Sequence, residues 1–300
     1  FMKAVIALGF GGVFTSTFAP LSRHIPILEA MEPVPDLVVA HGSPPSRVTE
    51  AAVEALGGMK SFVSRGDVVF LKPNMSWDRV PEQAATTNPE VVQKIVEMCL
   101  AAGAKTVKVS DNTLNDPRRC FVRSGVAQAV NQVGGKAFYM DERKFKEVDI
   151  KGDVITLWPV YIDVLEADKI INIPIAKHHS LTLLTMGMKN WIGAVGGRRN
   201  ILHQKIHACI VDLARFFRPT LTILDAIRVL TKHGPQGGGM GDVKRMDTIV
   251  AGIDQVAVDS YGATLFGLEG ADLEYVRLAH RLGVGTMTYR SMTIKKLEIG

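Results

Sequence analysis

In the stretch "KIINIPIAKHH" an apolar run ends in a lysine and a histidine two residues apart, Lys177 and His179. In an extended segment positions i and i+2 face the same side, so this spacing presents an ammonium and an imidazole together. A neighbouring cation keeps the imidazole neutral, as a base or a metal ligand, while the lysine suits a carboxylate or phosphate. A few residues on, "TLLTMGMKNWIGAVGG" carries Lys189 and Asn190 inside apolar surroundings, where an ammonium and an amide need partners. Thr185 and Lys189 are four apart and are expected to share a helical face.

Three more strand-like runs end in polar groups. Lys72 and Asn74 follow "VVFL", Asp111 and Asn112 follow "KTVKVS", and Asp225 follows "LTIL". In open parallel sheets ligands collect at the carboxyl ends of the strands, so these positions are expected to converge. The assignment that follows makes His179, Lys177, Lys189 and Asp111 the catalytic set. Lys72, Asn74, Asn190 and Asp225 are the ligand-binding set, joined by Gly234 of the loop "HGPQGGGMGD", whose backbone N–H groups can approach an anion closely. His203 and His207 stand at i and i+4 on an expected helix, but Gln204 follows the first histidine, so H-E-x-x-H is not met. Two readings stay open there, a metal chelated by both histidines or a plain polar face; a divalent metal in the cleft is assigned to His203 and His179.

The elements that must position these residues alternate as in an α/β domain. "DVVFLKPN", "KTVKVSDN", "KAFYM", "ADKIINIPIAKHH", "PTLTILDAI" and "DTIVAGID" are expected strands, and "FKEVDI" with "DVITLWPVYI" an expected hairpin. "SRVTEAAVEALGGM" is expected as a helix capped by Ser46, "NPEVVQKIVEMCLAAGA" as one capped by Asn88 with Pro89 in its first turn. "CFVRSGVAQAVNQVGG", "LHQKIHACIVDLARFF", "QVAVDSYGATLFG" and "DLEYVRLAHRLG" complete the helices. The fold class is α/β, a mixed and mostly parallel sheet flanked by helices. Residues 23–300 form this domain, with room for two lobes, 23–145 and 146–300.

Composition narrows the partners. A net charge of +5 could suggest nucleic acid, but the Lys and Arg residues are scattered, which points instead to a small anionic ligand or merely a basic surface. Three cysteines with no C-x-x-C cannot build a four-thiolate site, so an iron–sulfur cluster is not expected from this chain alone. There is no P-loop, no early G-x-G-x-x-G and no G-x-S-x-G elbow. Residues 1–22 carry an uncharged apolar run from Ala4 to Ala19 behind Phe1-Met2-Lys3, which resembles the tail of a twin-arginine export signal. Pro20 hinders cleavage, so the run reads as an export signal or an uncleaved anchor, with the protein exported to the periplasm or the outer face of a membrane; an ordinary buried N-terminal helix is the alternative.

Taken in order, "LKPN", "TNPEVVQKIVEMCLAAGAKTVKVSD", "ADKIINIPIAKHHSLTLLTMGMKNWIGAVGG", "LTILDAI" and "IDQVAVDSYG" resemble the domain-of-unknown-function family 362. The most specific part is Lys177-x-His179 followed by Lys189, Asn190 and Gly193. The resemblance implies an α/β protein connected with redox or anaerobic metabolism, often accompanied by a cysteine-rich segment or an export signal. Two functions follow as alternatives. One is an exported enzyme acting on a small anion in a cleft that includes these residues and His203. The other is a non-catalytic subunit of an extracytoplasmic or membrane-attached redox complex with protein partners.

Overall fold

The computed structural model describes Val34–Gly300. The export-like run lies outside the described residues. The strands are β1 (Leu37–Gly42), β2 (Val68–Pro73), β3 (Thr106–Val109), β4 (Lys136–Ala137), β5 (Phe145–Asp149), β6 (Leu157–Tyr161), β7 (Lys169–Ile173), β8 (Ile175–His179), β9 (Leu183–Thr185), β10 (Leu221–Leu230), β11 (Val243–Gly252) and β12 (Ile294–Ile299). The helices are α1 (Pro45–Ala55), α2 (Pro89–Ala101), α3 (Pro117–Arg123), α4 (Val126–Gln132), α5 (Ile162–Leu165), α6 (Ile206–Phe217), α7 (Gln255–Thr264) and α8 (Glu274–Arg281).

The main sheet runs β12-β1-β11-β10-β7-β2-β3-β4, with β8 continuing on β10 and β9 pairing β8. It is mixed and mostly parallel: β11 is antiparallel to both β1 and β10, β9 to β8, and every other pairing in it is parallel. A sheet covered on both faces needs strands apolar on both sides, and β10 is buried along nearly its whole length. Its pleat sends Leu221 and Ile223 into the core under α1, α2, α3 and α4, and Leu224 and Ala226 into the core under α6, α7 and α8. The result is a helix–sheet–helix sandwich. β5 and β6 form a separate antiparallel hairpin.

α2 shows how local chemistry places an element. The Asn88 side chain accepts the Glu90 N–H, Pro89 opens the first turn, and Val91, Val92, Ile95, Val96 and Cys99 form the buried stripe. Each of these valines and Ile95, fully buried, contributes roughly 1.5–3 kcal/mol.

Several expectations change. The N-cap of α1 is Pro44, not Ser46, and no side chain caps that end. The helix expected over "CFVRSGVAQAVNQVGG" divides into α3 and α4 at Gly125, which has φ 73°. The run "ADKIINIPIAKHH" is two strands, because Pro174 cannot donate to a ladder. β7 lies between β2 and β10, whereas β8 leaves that position and pairs only with β10 and β9. That departure is what carries Lys177 and His179 out of the central sheet. Lobes 23–145 and 146–300 do not separate: β2 from the first half is hydrogen-bonded to β7 from the second. Thr185 and Lys189 do not share a helix, since Thr185 ends β9 and Lys189 lies in a 3-10 segment, Met188–Ala194. Nor do His203 and His207, because His203 belongs to a 3-10 segment, Arg199–Lys205, and α6 starts after it.

Candidate functional site

Lys177, on β8, is 1% exposed, and its register partner across the β8–β9 pair is Thr185. Partners in register share a face, as do Lys177 and His179, so the short hairpin delivers all three side chains to one cleft of about 230 Å³. Asn74, Ser76 and Trp77 from the loop after β2 form another wall, Lys189, Asn190, Ile192 and Gly193 a third, and Arg199, Asn200 and His203 a fourth. Leu114 and Pro235 close the rim. Among the described residues no Asp or Glu lines this cleft.

A buried hydrogen-bond chain supports it. The Lys177 ammonium donates to the Ala85 carbonyl and, at 3.3 Å, to Asn74 Oδ1. Asn74 Nδ2 donates to Asn190 Oδ1 at 3.2 Å, and Asn190 Nδ2 donates to the Lys72 carbonyl at 2.8 Å and to Asn172 Oδ1 at 2.9 Å. Lys72 Nζ reaches Asn190 Oδ1 at 3.4 Å, the Pro73 carbonyl at 2.7 Å and Asp111 Oδ1 at 2.7 Å. Both members of the Lys72–Asp111 pair are fully buried. Removing either would leave an uncompensated charge.

The lysines of the cleft have little to keep them protonated. Burial, then the charge of Lys189, pulls Lys177 down to about 7, and burial pulls Lys189 down to about 8. Lys189 makes no ion pair or hydrogen bond with any described residue. Burial, followed by Lys189 and Lys177, holds His179 down to about 3, so its imidazole is neutral. Its Nδ1 accepts the Leu181 N–H at 3.1 Å, which leaves the proton on Nε2 and makes His179 a donor. Thr185 is 4% exposed and its hydroxyl has no hydrogen-bond partner.

Two acids outside the cleft hold its walls. Asp259 accepts the Gly187 and Met188 N–H groups at 2.6 and 3.0 Å, anchoring the turn that presents Lys189, and burial pushes it up to about 7. Asp111 Oδ2 accepts the Met75 N–H at 2.7 Å and the Ser76 hydroxyl at 3.1 Å. A Cβ on Gly193 would lie 1.9 Å from Asp111 Oδ1 and 2.8 Å from Lys72 Nζ, so only glycine lets the cleft wall pass over the ion pair.

The residues expected to act together therefore divide. Lys177, His179, Lys189, Asn74, Asn190 and His203 come together in the cleft. Lys72 and Asp111 lie beneath it as a structural pair, so Asp111 is not in the catalytic set; it borders a separate polar depression instead. Asp225 is not a ligand contact: its oxygens accept the Asn88 N–H at 2.7 Å and the Ile227 N–H at 3.0 Å, and burial raises it to about 6. Gly234 also lies outside the lining. Its N–H donates to His178 Nδ1 at 3.1 Å, and a Cβ there would strike the His178 carbonyl at 1.8 Å, so its role is the tight approach that sets Pro235 at the rim. His207 turns away toward Glu274, 3.4 Å distant.

The metal reading does not fit this donor set. Among the described residues no three His, Cys, Asp or Glu side chains cluster as a metal site, and His179 offers an N–H where a ligand needs a lone pair. Arg199 was not singled out from the sequence, yet it lines the cleft and ties its wall by donating to the Asn112 and Thr113 carbonyls at 2.7 and 2.9 Å. The available signal was its place just after the Lys189-Asn190-x-x-Gly193 group. A larger depression of about 790 Å³ elsewhere is bordered by Arg215 and Arg218 with Asp36 and Asp254, and includes none of these residues.

The model of the family described as Domain of unknown function (DUF362) matches residues 69–264. The chain belongs to that family. The matched stretch of this DUF362 protein contains every residue of the cleft. The thylakoid-associated protein sll1697 of Synechocystis sp. is 27% identical over 247 residues, covering 77% of this chain and 73% of that one. Among solved structures, the lactate racemase apoprotein from Thermoanaerobacterium thermosaccharolyticum is similar at 10% identity and TM-score 0.45, over 73% of this chain and 54% of that one. A protein from Thermotoga maritima is similar at 12% identity and TM-score 0.42, over 74% and 58%. The DUF362 chain thus spans little more than half the length of these two structures.

Proposed function

We propose that this protein is an enzyme that binds a small organic anion in the cleft and acts on it with Lys177 and His179. The observation that carries the reading is the imbalance of charge: Lys177, Lys189 and Arg199 line a cavity to which no described residue contributes a carboxylate. Charge-assisted hydrogen bonds to an anion would compensate those cations, and the unpartnered Thr185 hydroxyl adds a donor. At ~30 Å³ for a group of water size, 230 Å³ holds about eight such groups. The ligand class is a small carboxylate or phosphate.

A place at a membrane belongs to the same proposal, supported by the thylakoid association of the Synechocystis relative and by the export-like run at residues 1–22. It also suits the alternative of a subunit held beside protein partners in a redox assembly. Cell fractionation with N-terminal sequencing tests the tether: protein in the membrane fraction that retains residues 1–22 agrees with it, and a mature terminus beyond Pro20 contradicts it.

For the cleft itself, thermal unfolding with a panel of simple carboxylates and phosphate is the test. A ligand at 100 times its Kd stabilises the native state by roughly 2.7 kcal/mol. At least one member of the panel should raise Tm in a saturable manner, and no saturable shift with any would contradict the reading.

A further inference from the structure

We propose that the ligand is a small oxo acid and that Lys177 attacks its carbonyl carbon to form an imine, a step that rests on the anion-cleft reading above. A neutral amine has two N–H bonds and one lone pair. The protein supplies two acceptors for Lys177 Nζ, Asn74 Oδ1 and the Ala85 carbonyl, so both N–H bonds are directed into the protein. Because Lys177 lines the cleft, the remaining tetrahedral position is the one left for the ligand. Burial first, then the nearby Lys189 charge, favours the unprotonated nucleophile against the opposing pull of Asp111, and no Asp or Glu among the described residues lines the cleft.

The neighbours suit the rest of the step. Lys189, with no partner among the described residues, meets the ligand carboxylate and serves as the acid. The Thr185 hydroxyl, opposite Lys177 in register and unpartnered, has the place to donate to the carbonyl oxygen. The Lys177 lone pair forms the N–C bond, and one of its two N–H protons then leaves its protein acceptor and passes to the carbonyl oxygen to give the carbinolamine. The Lys189 ammonium then protonates that hydroxyl, the C–O bond breaks and water leaves. An iminium remains on Lys177 and Lys189 is neutral. Charge and atoms balance, and no oxidant or reductant is needed.

Borohydride reduction of the full-length protein with pyruvate or 2-oxobutanoate tests this, alongside calorimetry with the same acids and with propionate, which has no oxo group. The expected result is a carboxyalkyl group on the peptide containing Lys177, absent without borohydride and absent in Lys177→Arg. Peptide mapping of the wild-type protein stands even if the variant does not fold. Binding of the acids without trapping, or trapping at Lys189 instead, overturns the imine and leaves the anion cleft standing. Failure of all three acids to bind overturns the imine, and failure of phosphate to bind as well overturns the anion cleft.

Discussion

Lys177 and Thr185 are directly opposed on the antiparallel β8–β9 pair, and both side chains end in the same cleft. The ammonium has two acceptors within the protein and the hydroxyl has none. A buried hydroxyl left without a partner costs about 1–3 kcal/mol, and a ligand oxygen between the two groups would offset that. The hairpin carrying them exists because Pro174 ends β7 and moves the chain aside. A break in the sheet thus creates the site.

Lys189 sets the pH dependence of anion binding. Its pKa lies near 8, so it is charged at pH 7 and neutral at pH 9. An anion favours the charged form, so above 8 affinity falls about tenfold per unit through Lys189, 1.36 kcal/mol for each, in addition to the change that Lys177 contributes near 7. Titrations between pH 6.5 and 9.5 should show this fall in the wild type and lose it in Lys189→Gln.

Lys177 sets a pH dependence of stability. Its folded pKa of about 7 lies below the ordinary lysine value of 10.5, so the folded state loses stability through it when the group is charged. That loss is complete below pH 7 and fades as pH rises toward 10.5. Relative to Lys177→Met, the wild type should gain stability between pH 7 and 10, read from urea midpoints at each pH.

Asp111 and Lys72 should be costly to separate. Asp111→Asn leaves a buried ammonium unpaired, a loss of roughly 3–5 kcal/mol, whereas the double change Lys72→Met with Asp111→Leu should recover much of it. Equilibrium unfolding of the three proteins gives the comparison. A double variant that loses at least as much stability as Asp111→Asn would contradict the unpaired-charge account.

Gly193→Ala tests the close approach of the cleft wall to that pair. The added methyl would lie 1.9 Å from Asp111 Oδ1, so the wall must shift. Overpacking of this kind costs about 1–3 kcal/mol, and anion affinity should fall with it, since Lys189 and Arg199 flank the same segment. An unchanged Tm and affinity would remove Gly193 from the site's support.

Lys177 and His179 were legible in the sequence because strand alternation is local: two residues apart means one face. The helix α2 was legible for the same reason, with its cap and apolar stripe contiguous in the chain. Asp111 and Asp225 misled because a carboxylate after a strand looks alike whether it faces a ligand or accepts backbone N–H groups. Only the distant partners, Met75 and Ser76 for one and Asn88 for the other, separate the two cases. Thr185 and Lys189 reach one cleft by a strand and a 3-10 turn, since Asp259 on α7 fixes the turn between them. Nothing within "TLLTMGMKNW" encodes that anchor. Arg199 was hidden likewise, because its carbonyl partners Asn112 and Thr113 lie far away in the chain.

The most direct measurement is calorimetric titration of small carboxylates and phosphate into the wild type and Lys189→Gln at pH 7. A cationic cleft predicts one saturable site in the wild type. Loss of one charge-assisted contact, worth about 1.5–3 kcal/mol, should weaken the variant by roughly 10- to 100-fold. No binding to folded wild type by any of these anions, or equal affinity in both proteins, would contradict it.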